Sequence, residues 1–83
     1  MFKVGNTYFF RTVTFHLVGE VVRQDGDWLE LNDASWVADS GRFHKAIAEG
    51  SLNEVERVGN AYINLLTVTD AFPWTHSLPD ASK

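Results

Sequence analysis

The residues of this sequence best able to do chemistry are three histidines, His16, His44 and His76. A zinc site needs three or four converging ligands. The histidines fall on a predicted strand, a predicted helix and the C-terminal segment, without a carboxylate or a second histidine at ligand spacing, and cysteine is absent. We therefore predict isolated surface or interface histidines and no metal site.

Nucleophilic catalysis in a chain without cysteine would need an activated serine. The candidate serines, which lack the glycine pattern of a nucleophile elbow, are Ser35, Ser40, Ser51 and Ser77. A Ser-His-Asp triad is therefore not indicated. We expect a protein that is not an enzyme and that uses no cofactor.

A grouping of aromatic, acidic and cationic residues surrounds the start of a predicted helix: Trp36, Asp39, Arg42 and Phe43. Free backbone N–H groups at a helix N-terminus favour anions, and rings beside a guanidinium can stack on and neutralise a nucleotide-like ligand. These four residues are the predicted ligand-binding set. Capping of the helix by Asp39 and core packing of Trp36 and Phe43 are the alternatives, which the sequence leaves open.

The aromatic content predicts a protein interface. Three Trp, six Phe and two Tyr are enough to fill one small core and leave rings for contacts, and a short chain without disulfides often gains stability by oligomerisation. The predicted interface set is Trp28, Tyr62, Leu66 and Trp74. We predict a homo-oligomer.

The charge balance restricts the partners. A net charge of -4 and a pI near 5.1 argue against tight, non-specific nucleic-acid binding, which requires clustered Lys and Arg. The sequence contains no run of about 18 apolar residues and no secretory signal pattern. We expect no membrane partner and a cytoplasmic location.

The elements that must position these residues are mainly strands. Segment 15–34 alternates apolar and polar residues with a period of two, contains a bend or bulge at Gly19, and has a hairpin turn at Asp25-Gly26. Another strand is predicted at 7–12. Residues 1–79 form one domain, and residues 80–83 are predicted to be a disordered tail.

The second half of the chain is predicted to begin with an irregular segment, DASWVADS, and a short amphipathic helix at 41–49. Asp39 or Ser40 would cap this helix and Gly50 would end it. A second hairpin is predicted at 54–58 and 61–68, turning at Gly59-Asn60. The strands are predicted to form a small β-barrel, and the proline-containing segment 70–83 is expected to cross it in extended form.

Two blocks of residues are similar to signatures of Sm-like proteins. The first is Gly19, Asp25, Trp28, Leu31, Asp33 and Ala34, and the second is Arg57, Gly59, Asn60 and Ile63. The resemblance implies a small five-stranded SH3-like or Sm-like barrel that forms rings through its edge strands. This chain is predicted to be mainly β and departs from the family in its short helix between strands 3 and 4. Trp28-Leu29 replaces the asparagine that the family places beside its base-stacking residue, which disfavours RNA binding.

Three hypotheses of function follow. The first is a non-enzymatic homo-oligomeric barrel that acts as an assembly and binding module, as a phage or prophage accessory or structural protein. The stretches DASWVADSGRF and PWTHSLP resemble those of small uncharacterised proteins from bacteria and their phages. The second is an oligomer that sequesters a small anionic, nucleotide-like ligand as an anti-defence protein, and the third is Sm-like RNA binding. Host cytoplasm or virion would be the location of a phage-encoded chain.

Overall fold

The computed structural model describes residues 2–79, so the predicted tail at 80–83 lies outside the described residues. Its elements, in chain order, are β1 (Thr7–Thr12), β2 (His16–Asp25), β3 (Trp28–Asp39), helix α1 (Phe43–Glu49), β4 (Glu54–Asn64), a 3-10 turn (Leu65–Thr67) and β5 (Val68–Pro73). The strands form one antiparallel sheet in the order β4-β3-β2-β1-β5. The mainly β fold, with five strands and a short helix between the third and fourth, is confirmed.

The sheet is strongly curled, although no ladder joins its terminal strands β4 and β5 within residues 2–79. The 3-10 turn, Leu65–Thr67, links the end of β4 directly to the start of β5. Three residues at a rise of about 2 Å each cannot span a flat sheet whose five strands are spaced about 4.8 Å apart. The sheet must therefore curve until its two edges approach each other.

Consecutive residues of the strands enter two separate hydrophobic clusters, because side chains alternate between the faces of a sheet. The inner core lies inside the curl and contains Phe10, Leu17, Val21, Leu29, Leu31, Ala34 and Ile63. The outer core lies on the opposite face and contains Phe9, Val18, Val37 and Trp74, against which Phe43, Ile47, Leu52 and Leu78 pack. Helix α1 and the segment after β5 thus cover one part of the outer face.

Gly19 lies at an irregularity in the β2–β3 register, between Val18 and Glu20, as predicted. A Cβ atom at Gly19 would lie 3.1 Å from Cβ of Ala34 and 3.2 Å from Cβ of Leu31. The close approach of β3 favours glycine here, whereas the glycines with positive φ are elsewhere. The first hairpin is also confirmed, with Gly26 at φ 59° in the turn between β2 and β3.

Two predictions in the second half of the chain are wrong. All of the segment DASWVADS except its last residue, Ser40, belongs to β3, which pairs with β2 on one side and β4 on the other. No hairpin forms at Gly59-Asn60, because β4 runs through it as one strand, with Gly59 at φ 83° opposite Ala34. Tertiary pairing with β3 converts a turn signal into a bulge within a strand.

Helix α1 begins later than predicted. Arg42 occupies the N-cap position without a side-chain hydrogen bond, so capping by Asp39 or Ser40 is wrong. Asp39 instead accepts a hydrogen bond from the N–H of Gly41 at 2.8 Å, in the turn before the helix. The predicted end is confirmed, because Gly50 has φ 72° and donates to the carbonyl of Ala46.

Candidate functional site

A cleft on the outer face of the sheet brings together two exposed aromatic side chains. Trp28 is 52% exposed and Tyr62 is 58% exposed, although large aromatic rings are usually buried to a greater extent. The Trp28 cleft, as we call it, has a volume of about 210 Å3 and is lined by Arg23, Asp25, Trp28, Glu30 and Tyr62. Its lining therefore combines apolar ring surface with charged groups.

Strand register explains why these residues meet. Arg23 pairs with Glu30 and Asp25 pairs with Trp28 across β2 and β3, while Glu30 pairs with Tyr62 across β3 and β4. Paired residues point to the same face. The neighbouring residues Leu29 and Leu31 point the other way, into the inner core, so the Trp28 cleft is on the outer face.

Glu30 is the most firmly positioned charge of the Trp28 cleft. Its Oε2 accepts a hydrogen bond from Nδ2 of Asn60 at 3.0 Å, and its Oε1 accepts a longer one from Nε of Arg23 at 3.3 Å. The hydrogen bond from Asn60, which has the larger effect, and the one from Arg23 hold the pKa of Glu30 below its ordinary value. Glu30 is therefore a fixed carboxylate at neutral pH, opposite Tyr62 and on the same face as Trp28.

A second exposed apolar area lies at one end of the curled sheet. The end patch, as we call it, contains Val13, Phe15, Trp36 and Leu66, all of them exposed. The rings of Phe15 and Trp36 lie 6.1 Å apart, and Val13, Phe15 and Leu66 line one cleft of about 390 Å3. Trp36 was predicted in the ligand-binding set and Leu66 in the interface set, but both residues lie in the end patch.

The predicted ligand-binding set does not come together in one pocket. Trp36 contacts Phe15 in the end patch, whereas the next residue, Val37, faces the outer core that Phe43 also contacts. Because side chains alternate along β3, Trp36 lies on the face opposite to Val37, and therefore opposite to Phe43. Arg42 is exposed at the start of α1, and Asp39 holds the turn before the helix.

The cation beside Phe43 is Arg11, which sequence reasoning missed. Its guanidinium lies 4.3 Å from the ring centroid of Phe43 and 5.5 Å from that of Phe72. Nε of Arg11 also donates to Asp70 at 2.7 Å, within an ion pair, and this hydrogen bond holds the pKa of Asp70 below its ordinary value. The register Arg11↔Asp70, which sequence cannot supply, creates this arrangement.

The predicted interface set is divided between surface and core. Trp28 and Tyr62 line the Trp28 cleft and Leu66 lies in the end patch. Trp74 is only 4% exposed, and its ring stacks on Phe9 at 5.7 Å within the outer core. The ring of Trp74 therefore stabilises the chain itself and offers almost no surface to a partner.

A cleft of about 560 Å3 runs along β5 and the 3-10 turn that precedes it. Its apolar lining includes Phe2 and Tyr8, whose rings lie 5.1 Å apart, together with Leu65 and Pro73. Neither Phe2 nor Tyr8 belongs to a set of residues predicted from the sequence. An N-terminal aromatic beside a strand aromatic is the signal that could have found them.

The described residues contain no group of three or more metal-ligating side chains that could hold a metal ion. Nε2 of His76 lies 2.8 Å from the carbonyl oxygen of Ile47, and the ring of His16 lies 5.6 Å from the ring of Phe9.

Within residues 2–79, no helix has the length and apolar character needed to cross a membrane.

Comparison of the chain with family models, with curated proteins and with solved structures finds no match. Function is therefore inferred from this chain's own residues.

Proposed function

We propose that this protein is a non-enzymatic assembly module that forms homo-oligomers through strand β4. The observation that carries this proposal is the outer edge of β4, which has no partner strand among residues 2–79 over its eleven residues. An edge strand presents unpaired N–H and C=O groups that can pair with another chain. The other edge, β5, is six residues long and ends in Pro73, a residue that cannot donate to a ladder.

The side chains of β4 also favour pairing in its second half. Charged residues Glu54, Glu56 and Arg57 occupy the first half, and edge charges discourage pairing. Past the bulge at Gly59, the strand contains Tyr62 and is followed by Leu66, both exposed. Apolar side chains beside a free edge add buried area to a backbone contact.

Light scattering coupled to size exclusion tests the assembly. We expect the parent chain to elute as an oligomer at micromolar concentration and Val58→Lys to shift it towards monomer, because a lysine on an edge strand opposes pairing. Val22→Lys on the central strand β2 is the matched control, since Val58 is 50% and Val22 is 40% exposed. A monomeric parent, or equal effects of both variants, would contradict the proposal.

Within this proposal, the assembly serves as a phage or prophage accessory or structural component. Its support is the resemblance of DASWVADSGRF and PWTHSLP to small proteins of bacteria and their phages. Gene neighbourhood tests it: virion genes beside this one would support a structural role. A neighbourhood of host metabolic genes would contradict it.

A further inference from the structure

We propose that the Trp28 cleft binds an organic cation, an ammonium or guanidinium group, between the side chains of Trp28 and Tyr62. Although Tyr62 also lies on β4, this inference rests on the side chains that line the cleft and not on the assembly. The aromatic rings supply the first part of the argument. A cation within about 6 Å of the face of Trp or Tyr is attracted by the electron density of the ring, and Trp is the strongest of the aromatic partners.

The spacing of the two aromatic residues leaves room for such a group. Trp28 pairs with Asn64 on β4, so Tyr62, two residues away, is its diagonal neighbour. Diagonal neighbours lie about 7–8 Å apart across a ladder. The volume of about 210 Å3 is below the usual range for a drug-sized ligand and suits a single head group or side-chain end.

Charge complementarity selects a cation over an anion or a neutral ligand. The carboxylates of Asp25 and Glu30 line the cleft with one guanidinium, that of Arg23. Two carboxylates against one guanidinium leave this lining with a net negative charge. An anion would have to approach against this field.

Arg23 contacts the carboxylate that a bound cation would also contact, that of Glu30. Its Nε reaches Glu30 at 3.3 Å, its side chain is 62% exposed, and an exposed ion pair of this kind contributes little free energy. Asn60 holds the other oxygen of Glu30 independently of Arg23. A ligand cation can therefore displace Arg23 while Glu30 stays in place, which makes Arg23 an internal competitor for the cleft.

Titrations followed by the NMR shift of the Trp28 indole N–H test this proposal. The probes are choline and 3,3-dimethyl-1-butanol, a neutral molecule of nearly the same shape. We expect saturable shifts with choline and at least a fivefold weaker response to the neutral molecule. Equal responses would show a merely apolar site and overturn the proposal, and so would the absence of saturable shifts with every cation.

The source of the cation is distinguished by parallel titrations with short peptides that contain one lysine or one trimethyl-lysine. Tighter binding of either peptide than of choline identifies a side chain of a partner protein as the ligand, whereas tighter binding of choline identifies a free small molecule. Each of these two results supports cation binding. No binding by choline or by either peptide would overturn it.

Two pairs of variants separate the site from the rest of the chain. Tyr62→Ala is expected to weaken choline binding about two- to fivefold, the range of an exposed cation–π contact, and Tyr8→Ala outside the cleft should leave it unchanged. Arg23→Gln is expected to tighten binding about two- to fivefold, whereas Arg42→Gln, with the same change of charge, should not. Weaker choline binding by Arg23→Gln would overturn the competitor role.

Discussion

The outer face of the sheet has two regions that contain aromatic residues, and only one of them is covered. Around Phe9 and Trp74, helix α1 and the segment after β5 close over the strands and form the outer core. Around Trp28 and Tyr62, none of the elements within residues 2–79 covers the rings. The comparison indicates that covered aromatics stabilise this chain, whereas uncovered aromatics are available for a ligand or partner.

The two regions also differ in how firmly their arginine side chains are held. Beside the outer core, Arg11 forms an ion pair with Asp70. This pair holds the guanidinium of Arg11 against Phe43 of α1 and Phe72 of β5. In the Trp28 cleft, Arg23 makes only a long contact with Glu30. Both regions contain an arginine–carboxylate pair, with a short contact beside the outer core and a long one in the Trp28 cleft.

The largest expected effect comes from removing a covered ring. Trp74→Ala should lower the free energy of unfolding by about 3–5 kcal/mol, because it leaves a cavity beside Phe9. Trp28→Ala should lower it by less than about 1 kcal/mol, because half of that ring is already exposed. Chemical denaturation of both variants and the parent measures the difference. Similar losses for the two variants would abolish the distinction between covered and uncovered aromatics.

Gly19→Val should have the next largest effect, about 1–3 kcal/mol, the usual cost of overpacking. Its new side chain would crowd Ala34 and Leu31 and disturb β3, which carries Trp28. Gly19→Ala is the graded control and should cost less. A denaturation midpoint of Gly19→Val equal to that of the parent would contradict the close packing of β2 on β3.

The smallest effect concerns the ion pair beside the outer core. Asp70→Asn should cost less than about 1 kcal/mol at neutral pH, because the side chains of Arg11 and Asp70 are 34% and 37% exposed and solvent screens them. The pKa of Asp70 is lowered in the folded chain, so its contribution is present above the unfolded pKa, about 3.9, and is lost as the pH falls through the folded pKa.

Denaturation midpoints of the parent and Asp70→Asn measured from pH 7 down to pH 2 check this. The difference between the two proteins should be largest at neutral pH and shrink as Asp70 becomes protonated. A difference that stays constant over this range would show that the side chain acts through packing and not through its charge.

Several features of the fold follow from the sequence by itself. The alternation around Gly19, the turn at Asp25-Gly26 and the end of α1 at Gly50 depend on neighbouring residues, and each is found where the local pattern predicts it. Backbone preferences of glycine and side-chain periodicity act over a few residues. Local sequence is therefore sufficient to predict them.

Other features were decided only by the tertiary structure. Gly59-Asn60 has the local pattern of a turn, but pairing with β3 keeps β4 continuous. Burial of Trp74 beside Phe9, and exposure of Trp28 beside Tyr62, depend on which residues meet across the ladders and on where α1 lies. These contacts join residues that are far apart in sequence, so a short stretch of sequence contains no information about them. Their free energy outweighs the local backbone preference only once the sheet has formed.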